Sequence, residues 1–178
     1  MDLALAATVY RRAVIGGVGD VPWRREAECR LYGRVVEGKP LIMGRRTYEA
    51  LGGLLPLGDA VVVSRDPAFF PRDVMVRSTI SAAYNACARL AKGLSAREAV
   101  VIGGATIFRL ALPVTDRVYL ALVDEDREGG RHFPLLPPAR WRPALAGPQY
   151  RPDGTTLFEL RTYERRPEPA PGPEPRSY

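Results

Sequence analysis

VVIGGATIF, residues 100–108, decides how this chain is read. An apolar run rich in β-branched residues stops at Gly103 and Gly104, and an apolar pattern with helical spacing restarts at once. Valine and isoleucine in a short run bounded by glycine favour a buried strand. Two residues without a Cβ at its exit let the backbone or a ligand approach more closely than side chains permit. A strand that turns directly into a helix is the unit from which α/β sheets are assembled.

Working outward, residues 3–9, 40–44, 59–64, 73–77, 98–104, 116–124 and 156–165 read as strands, and residues 24–36, 46–52, 80–92 and 105–111 as helices. The third helix is the clearest: Ile80, Tyr84, Cys87, Ala88 and Leu90 lie near one face, and Gly93 reads as its stop. Alternation of strand and helix predicts crossover connections and a largely parallel sheet. The segment PEPAPGPEPRSY, residues 167–178, holds five prolines and no apolar periodicity. It reads as a disordered or polyproline-like tail, which leaves residues 1–166 as one domain.

With 178 residues, 46% of them hydrophobic, the chain can bury a substantial core. No run reaches the roughly 18 apolar residues of a membrane span, and the start, MDLALAATVYRR, has no basic leader ahead of its apolar stretch. A cytoplasmic protein with no membrane partner is expected. Cys29 and Cys87 are far apart and match no redox or metal spacing, and His132 is the single histidine, so no metal site is expected. The net charge of +6 is spread over scattered arginines, with lysine only at positions 39 and 92. Without a dense basic block or interleaved aromatics, nucleic acid is not the expected partner; a minority of the arginines would grip an anionic small molecule.

Three strand exits share a design. In PLIMGRRTYEAL the chain leaves a strand at Gly44 and enters a helix whose first turn carries Arg45, Arg46 and Thr47. Unpaired N–H groups, the helix dipole and two guanidiniums together suit a phosphate. In VVVSRD, Ser64 and Arg65 follow the strand at once and offer a hydroxyl and a cation. Gly103 and Gly104 make the third exit and leave room for a diphosphate. Singly, each also fits a tight turn or a solvated face; together they point to the carboxyl ends of the strands, where ligands of such sheets gather.

Residues 13–36 carry a different signal. Gly16, Gly17 and Gly19 form a loop able to act as a lid, and Pro22-Trp23 closes it and opens a helix. Glu28 stands between Ala27 and Leu31, on the edge of that helix's apolar stripe. A carboxylate in an apolar cleft has its pKa raised and can hold or relay a proton; a solvent-facing glutamate paired with Arg24 or Arg25 fits the same pattern.

The segments LALAATV, VIGGVGDVPW, KPLIMGRRTYEAL, VVVSR, VVIGGATIF, DRVYLALVD and EGGRHFP follow one another as in the dihydrofolate reductases, and the chain resembles that family over most of residues 3–165. The resemblance implies an α/β fold with a central, mainly parallel, eight-stranded sheet flanked by helices, and NADPH across the strand ends. On its matching motifs, Arg45, Arg46 and Thr47 would contact the adenosine phosphate and diphosphate. Ser64 and Arg65 would meet the 2′-phosphate end, and Gly103, Gly104, Ala105 and Thr106 the diphosphate. Ala7 and Ile15 would border the nicotinamide, with Phe108 where the family usually has tyrosine. Gly16, Gly44, Ile102 and Ile107 complete the cofactor side. Glu28 falls on the family's pterin-pocket carboxylate and, with Trp23, takes the catalytic part. Leu5, Ala6, Val21, Tyr32, Leu51, Leu55 and Ala121 would form the substrate cleft.

Two positions depart from the family. Where an arginine normally grips the folate carboxylate, this chain has Gly58 followed by Asp59, and a threonine that normally bonds the catalytic carboxylate is replaced by Ala121. Arg30 or Arg34 would be the substitute anchors. Two substrates therefore follow for an NADPH-dependent reductase: 7,8-dihydrofolate held by other contacts, or a different C=N or C=C bond in a specialised biosynthetic pathway. A silent binding protein on the same scaffold is disfavoured by Glu28 and Trp23. The expected state is a monomer or small homo-oligomer.

Overall fold

The computed structural model describes residues 1–15, 33–52 and 59–167. Eight strands make one sheet: β1 (Asp2–Val9), β2 (Leu41–Gly44), β3 (Ala60–Val63), β4 (Met75–Arg77), β5 (Glu98–Gly103), β6 (Arg117–Leu122), β7 (Trp141–Tyr150) and β8 (Thr156–Arg165). Their order is β4-β3-β2-β5-β1-β6-β8-β7. Every pairing from β4 across to β6 is parallel, and β8 runs antiparallel to both β6 and β7. The mainly parallel eight-stranded sheet expected from the resemblance is thus the fold observed.

Among the described residues three complete helices pack on it: α1 (Arg45–Leu51), α2 (Ile80–Leu94) and α3 (Ala105–Ala111). Both faces of the central strands are covered, which is why β1, β2, β3 and β5 carry near-continuous apolar runs rather than alternating ones, broken only by Asp2 and Thr8 in β1 and Glu98 at the start of β5. One face gathers Leu3, Leu5, Ala7, Ile42, Val61 and Val101 against Ile80, Cys87, Ile107 and Phe108 of α2 and α3. The other gathers Ala4, Ala6, Met43, Val62, Ile102 and Ala121 with Leu51 of α1, Val35, Val36 and Phe158.

The structure corrects two details. Helix α2 does not stop at Gly93; it runs to Leu94, and Ser95 takes the left-handed cap at φ 54°, its N–H bonded to the Ala91 carbonyl. Gly93 has open space around it and is simply carried in the last turn. Strand β7 was absent from the segments read as strands. Pro143 and Pro148 interrupt it, and it lies exposed along most of its length at the sheet edge, where missing N–H donors are tolerated and no apolar alternation is required. The helix expected over 24–36 falls mostly outside the described residues, as does the tail from residue 168.

Candidate active site

β2 and β5 are neighbours, with Met43 in register with Gly103, so the first and third strand exits open side by side. Gly44 caps α1 and Gly104 caps α3; neither helix start is closed by a side chain. A Cβ at Gly44 would lie 2.8 Å from Cγ1 of Ile107, so only glycine lets β2 pass beneath α3. Gly103 adopts φ +119°, and a Cβ there would meet the Phe108 ring at 3.3 Å. The peptide between Gly103 and Gly104 is cis. Thr47 Oγ1 stands 3.5 Å from the Cβ position of Gly104, which places the hydroxyl of one exit against the backbone of the other. The result is a strip of bare backbone bounded by Arg45, Arg46, Thr47, Ala105 and Thr106.

The second exit adjoins it across β3. Ser64 N–H donates to the Arg77 carbonyl at 2.9 Å, which joins the ends of β3 and β4 and brings Arg77 beside Ser64 and Arg65. Arg77 was missed in the sequence because only the β3-β4 pairing brings it here. Arg65 and Arg46 are exposed, and Arg45 is half-buried. Arg45 donates from Nη1 to Asp66 Oδ2, approaches Glu49 Oε1 at 3.5 Å through Nε, and lies 5.7 Å above the Phe69 ring. Tyr48 donates to Asp73 Oδ1 at 2.6 Å, and that bond, with some burial, pushes its phenol up to about 12.

On the other side of the Gly-Gly exit, Phe108 packs on Phe133 with ring centroids 5.2 Å apart. Phe133 N–H donates to Ala13 O at 2.9 Å, Ile15 N–H to Arg131 O at 3.0 Å, and Val14 bridges His132. The lone histidine therefore lies in a backbone clamp on the segment leading into the glycine-rich loop. That role carries no side-chain signature.

Ala7, Ile15, Ile107 and Phe108 share one face of the sheet. Ala6, Leu51, Ala121 and Ile102 share the other. Leu5 is fully buried with Ala7, on the face opposite Ala6. Thr8, buried and in register with Ala121, carries a hydroxyl with no partner among the described residues. Arg34, considered as a substitute anchor, donates to Gln149 Oε1 of β7. Gly16, Val21, Trp23, Glu28, Arg30, Tyr32, Leu55 and Gly58 lie outside the described residues. Among the described residues no group of three or more His, Cys, Asp or Glu is placed to hold a metal, and no helix is long and apolar enough to cross a membrane.

The family model for dihydrofolate reductase matches residues 2–165. Dihydrofolate reductase type 3 of Salmonella typhimurium is 38% identical over 134 residues, covering 75% of this chain and 79% of its own. Dihydrofolate reductase type A13 of Escherichia coli is 34% identical over 162 residues, covering 91% and 93%. Among solved structures, a dihydrofolate reductase from Enterococcus faecalis complexed with NADP(H) and RAB-propyl superposes with a TM-score of 0.77 at 23% identity, covering 93% of this chain and 97% of that one. That likeness speaks for the fold.

Proposed function

This chain belongs to the dihydrofolate reductase family, whose members are NADPH-dependent oxidoreductases, and from that premise we propose that it reduces a C=N bond, with 7,8-dihydrofolate as its substrate. The observation that carries the cofactor half is the bare backbone where β2 and β5 end together. At Gly44 and Gly103 a Cβ would run into Ile107 and Phe108, so the packing of α3 keeps both positions bare, and the backbone edges left there suit a pyrophosphate.

In this reading Thr47, Gly103, Gly104, Ala105 and Thr106 hold the diphosphate, with Gly44 and Ile102 beneath. Arg45, Arg46, Ser64 and Arg65 take the adenosine end and its 2′-phosphate. Ala7, Ile15 and Phe108 border the nicotinamide. When bound, NADPH supplies hydride from C4 of that ring. The chain's own residues orient the acceptor, exclude water and deliver the proton. Glu28, assigned through the family motif, would promote protonation of the imine nitrogen by way of a water, that nitrogen being adjacent to the carbon that accepts hydride. Gly16, Val21 and Trp23 take their assignment, as part of a loop over the reacting pair, from the family motif alone. Ala6, Tyr32, Leu51, Leu55 and Ala121 shape the cleft, and Leu5 contributes backbone to it.

The deciding experiment follows NADPH oxidation at 340 nm with dihydrofolate at rising concentration, with NADPH binding measured in parallel. Saturable turnover supports dihydrofolate as substrate. Ala121 gives the second reading its ground: where the family pattern has a hydroxyl beside the carboxylate, this position is a fully buried methyl. Tight NADPH binding without turnover of dihydrofolate would direct the search to other imines and conjugated alkenes.

A further inference from the structure

At the β3 exit an acidic side chain engages a guanidinium that the proposed function assigns to phosphate. Asp66 is tied into the turn at three points. Its N–H donates to Ser64 Oγ at 3.2 Å, its Oδ1 accepts from the Ala68 N–H at 2.9 Å, and its Oδ2 accepts from Arg45 Nη1. Glu49, one turn along α1, faces the Nε side of the same guanidinium at 3.5 Å, and Phe69 lies under it. Arg45 is thus held between two carboxylates over an aromatic ring, and Ser64 Oγ is already an acceptor for Asp66.

We propose that Asp66 sets the degree to which this chain prefers a 2′-phosphorylated dinucleotide over its unphosphorylated counterpart. The proposal rests on the reading of Arg45 and Ser64 as the 2′-phosphate end. An incoming phosphate must share Arg45 with a fixed carboxylate, and it brings a second negative group close to the first. Like charges at hydrogen-bond range raise the cost of binding the dianion and leave a dinucleotide without the phosphate untouched. Arg65, exposed next to Ser64, supplies attraction that Asp66 does not oppose, whereas the Arg77 guanidinium is turned back onto the Val76 carbonyl and the Met75 sulfur of its own strand. The preference for the phosphorylated cofactor is therefore smaller than Arg45, Arg46 and Arg65 would give unopposed. Because the pair is partly exposed, the effect is modest and screened by salt.

Asp66→Asn keeps the acceptor for Ala68 N–H and removes only the charge. With the full chain, Kd values for NADPH and NADH are read by quenching of intrinsic fluorescence at low and high salt, with a thermal melt confirming an intact fold. The expected result is NADPH bound about three- to tenfold more tightly at low salt, a smaller gain at high salt, and NADH within about twofold of the parent. An equal change for both cofactors, no change, or weaker NADPH binding would overturn the proposal; the last would mean that Asp66 presents Arg45 to the phosphate. Arg45→Ala separates the two levels of inference. If it weakens NADPH and NADH alike, the placement of the 2′-phosphate fails and the proposal with it. If it weakens NADPH selectively while Asp66→Asn changes nothing, only the role of Asp66 is lost.

Discussion

Thr8 of β1 and Ala121 of β6 are register partners in the parallel ladder, so a buried hydroxyl and a buried methyl share one face of the sheet. The threonine expected at position 121 is absent, and a threonine stands one strand over. Thr8 Oγ1 finds no partner among the described residues. Burying an unpaired hydroxyl costs about 1–3 kcal/mol. Thr8→Val keeps the shape and removes that cost, so its urea midpoint should rise, equivalent to about 1 kcal/mol, with NADPH affinity unchanged. A fall in stability would show that the hydroxyl is satisfied by a group beyond the described residues.

Gly44→Ala should damage both stability and cofactor binding. The added methyl would sit 2.8 Å from Ile107 Cγ1, and forcing it in costs about 1–3 kcal/mol. Ile107→Ala removes the obstructing atoms, so the double variant should be more stable than the sum of the single losses predicts. Additive losses in denaturant melts would mean that the two residues do not meet.

Glu98 is buried at the amino end of the sheet, where Lys39 Nζ lies at 2.7 Å, Arg117 Nη1 at 3.0 Å and the Tyr119 hydroxyl at 3.3 Å. Glu98→Gln leaves Lys39 without a carboxylate partner among the described residues and Arg117 with only the more distant Glu164, at 3.9 Å. A loss of about 3 kcal/mol is expected on urea unfolding, with Kd for NADPH unaltered because the strand exits proposed for the cofactor lie at the opposite end of the sheet. An unchanged midpoint would rule out this cluster as a stabilising unit.

Cys87 is buried in α2, and desolvation, with the Asp59 charge adding to it, pushes the thiol up to about 12 from an ordinary 9.0. The folded thiol keeps its proton where the unfolded one loses it. Stability is therefore whole below pH 9 and declines as pH rises from 9 toward 12. Cys87→Ala should show a flatter loss over that window, and a thiol reagent at pH 8 should label the parent only after denaturation. Rapid labelling of the native protein would contradict the burial.

The exit at Gly103 was legible because three levels agree there: a β-branched run, two residues lacking Cβ, and a helical restart. β1, β2, β3 and β5 were legible for the related reason that a sheet covered on both faces demands near-continuous apolar runs. β7 was not, since an edge strand carrying Pro143 and Pro148 leaves no period to read. Arg77 and the clamp between 13–15 and 131–133 were invisible for a further reason: both are made by backbone pairing between distant segments, which leaves no mark on side-chain identity. Asp66 stood in plain view in VVVSRD; what could not be read was that its carboxylate turns back onto Arg45.

The pairing of Met43 with Gly103 also sets a timetable. The two backbone edges assigned here to the cofactor belong to distant stretches of one polypeptide, and in a chain emerging from a ribosome the second is made long after the first. Closing so long a loop is slow, and nothing local can stand in for it. Cofactor affinity is then a late acquisition, absent from any nascent fragment that ends before β5. Once β5 is in place, NADPH draws the finished molecule away from its partly folded precursors.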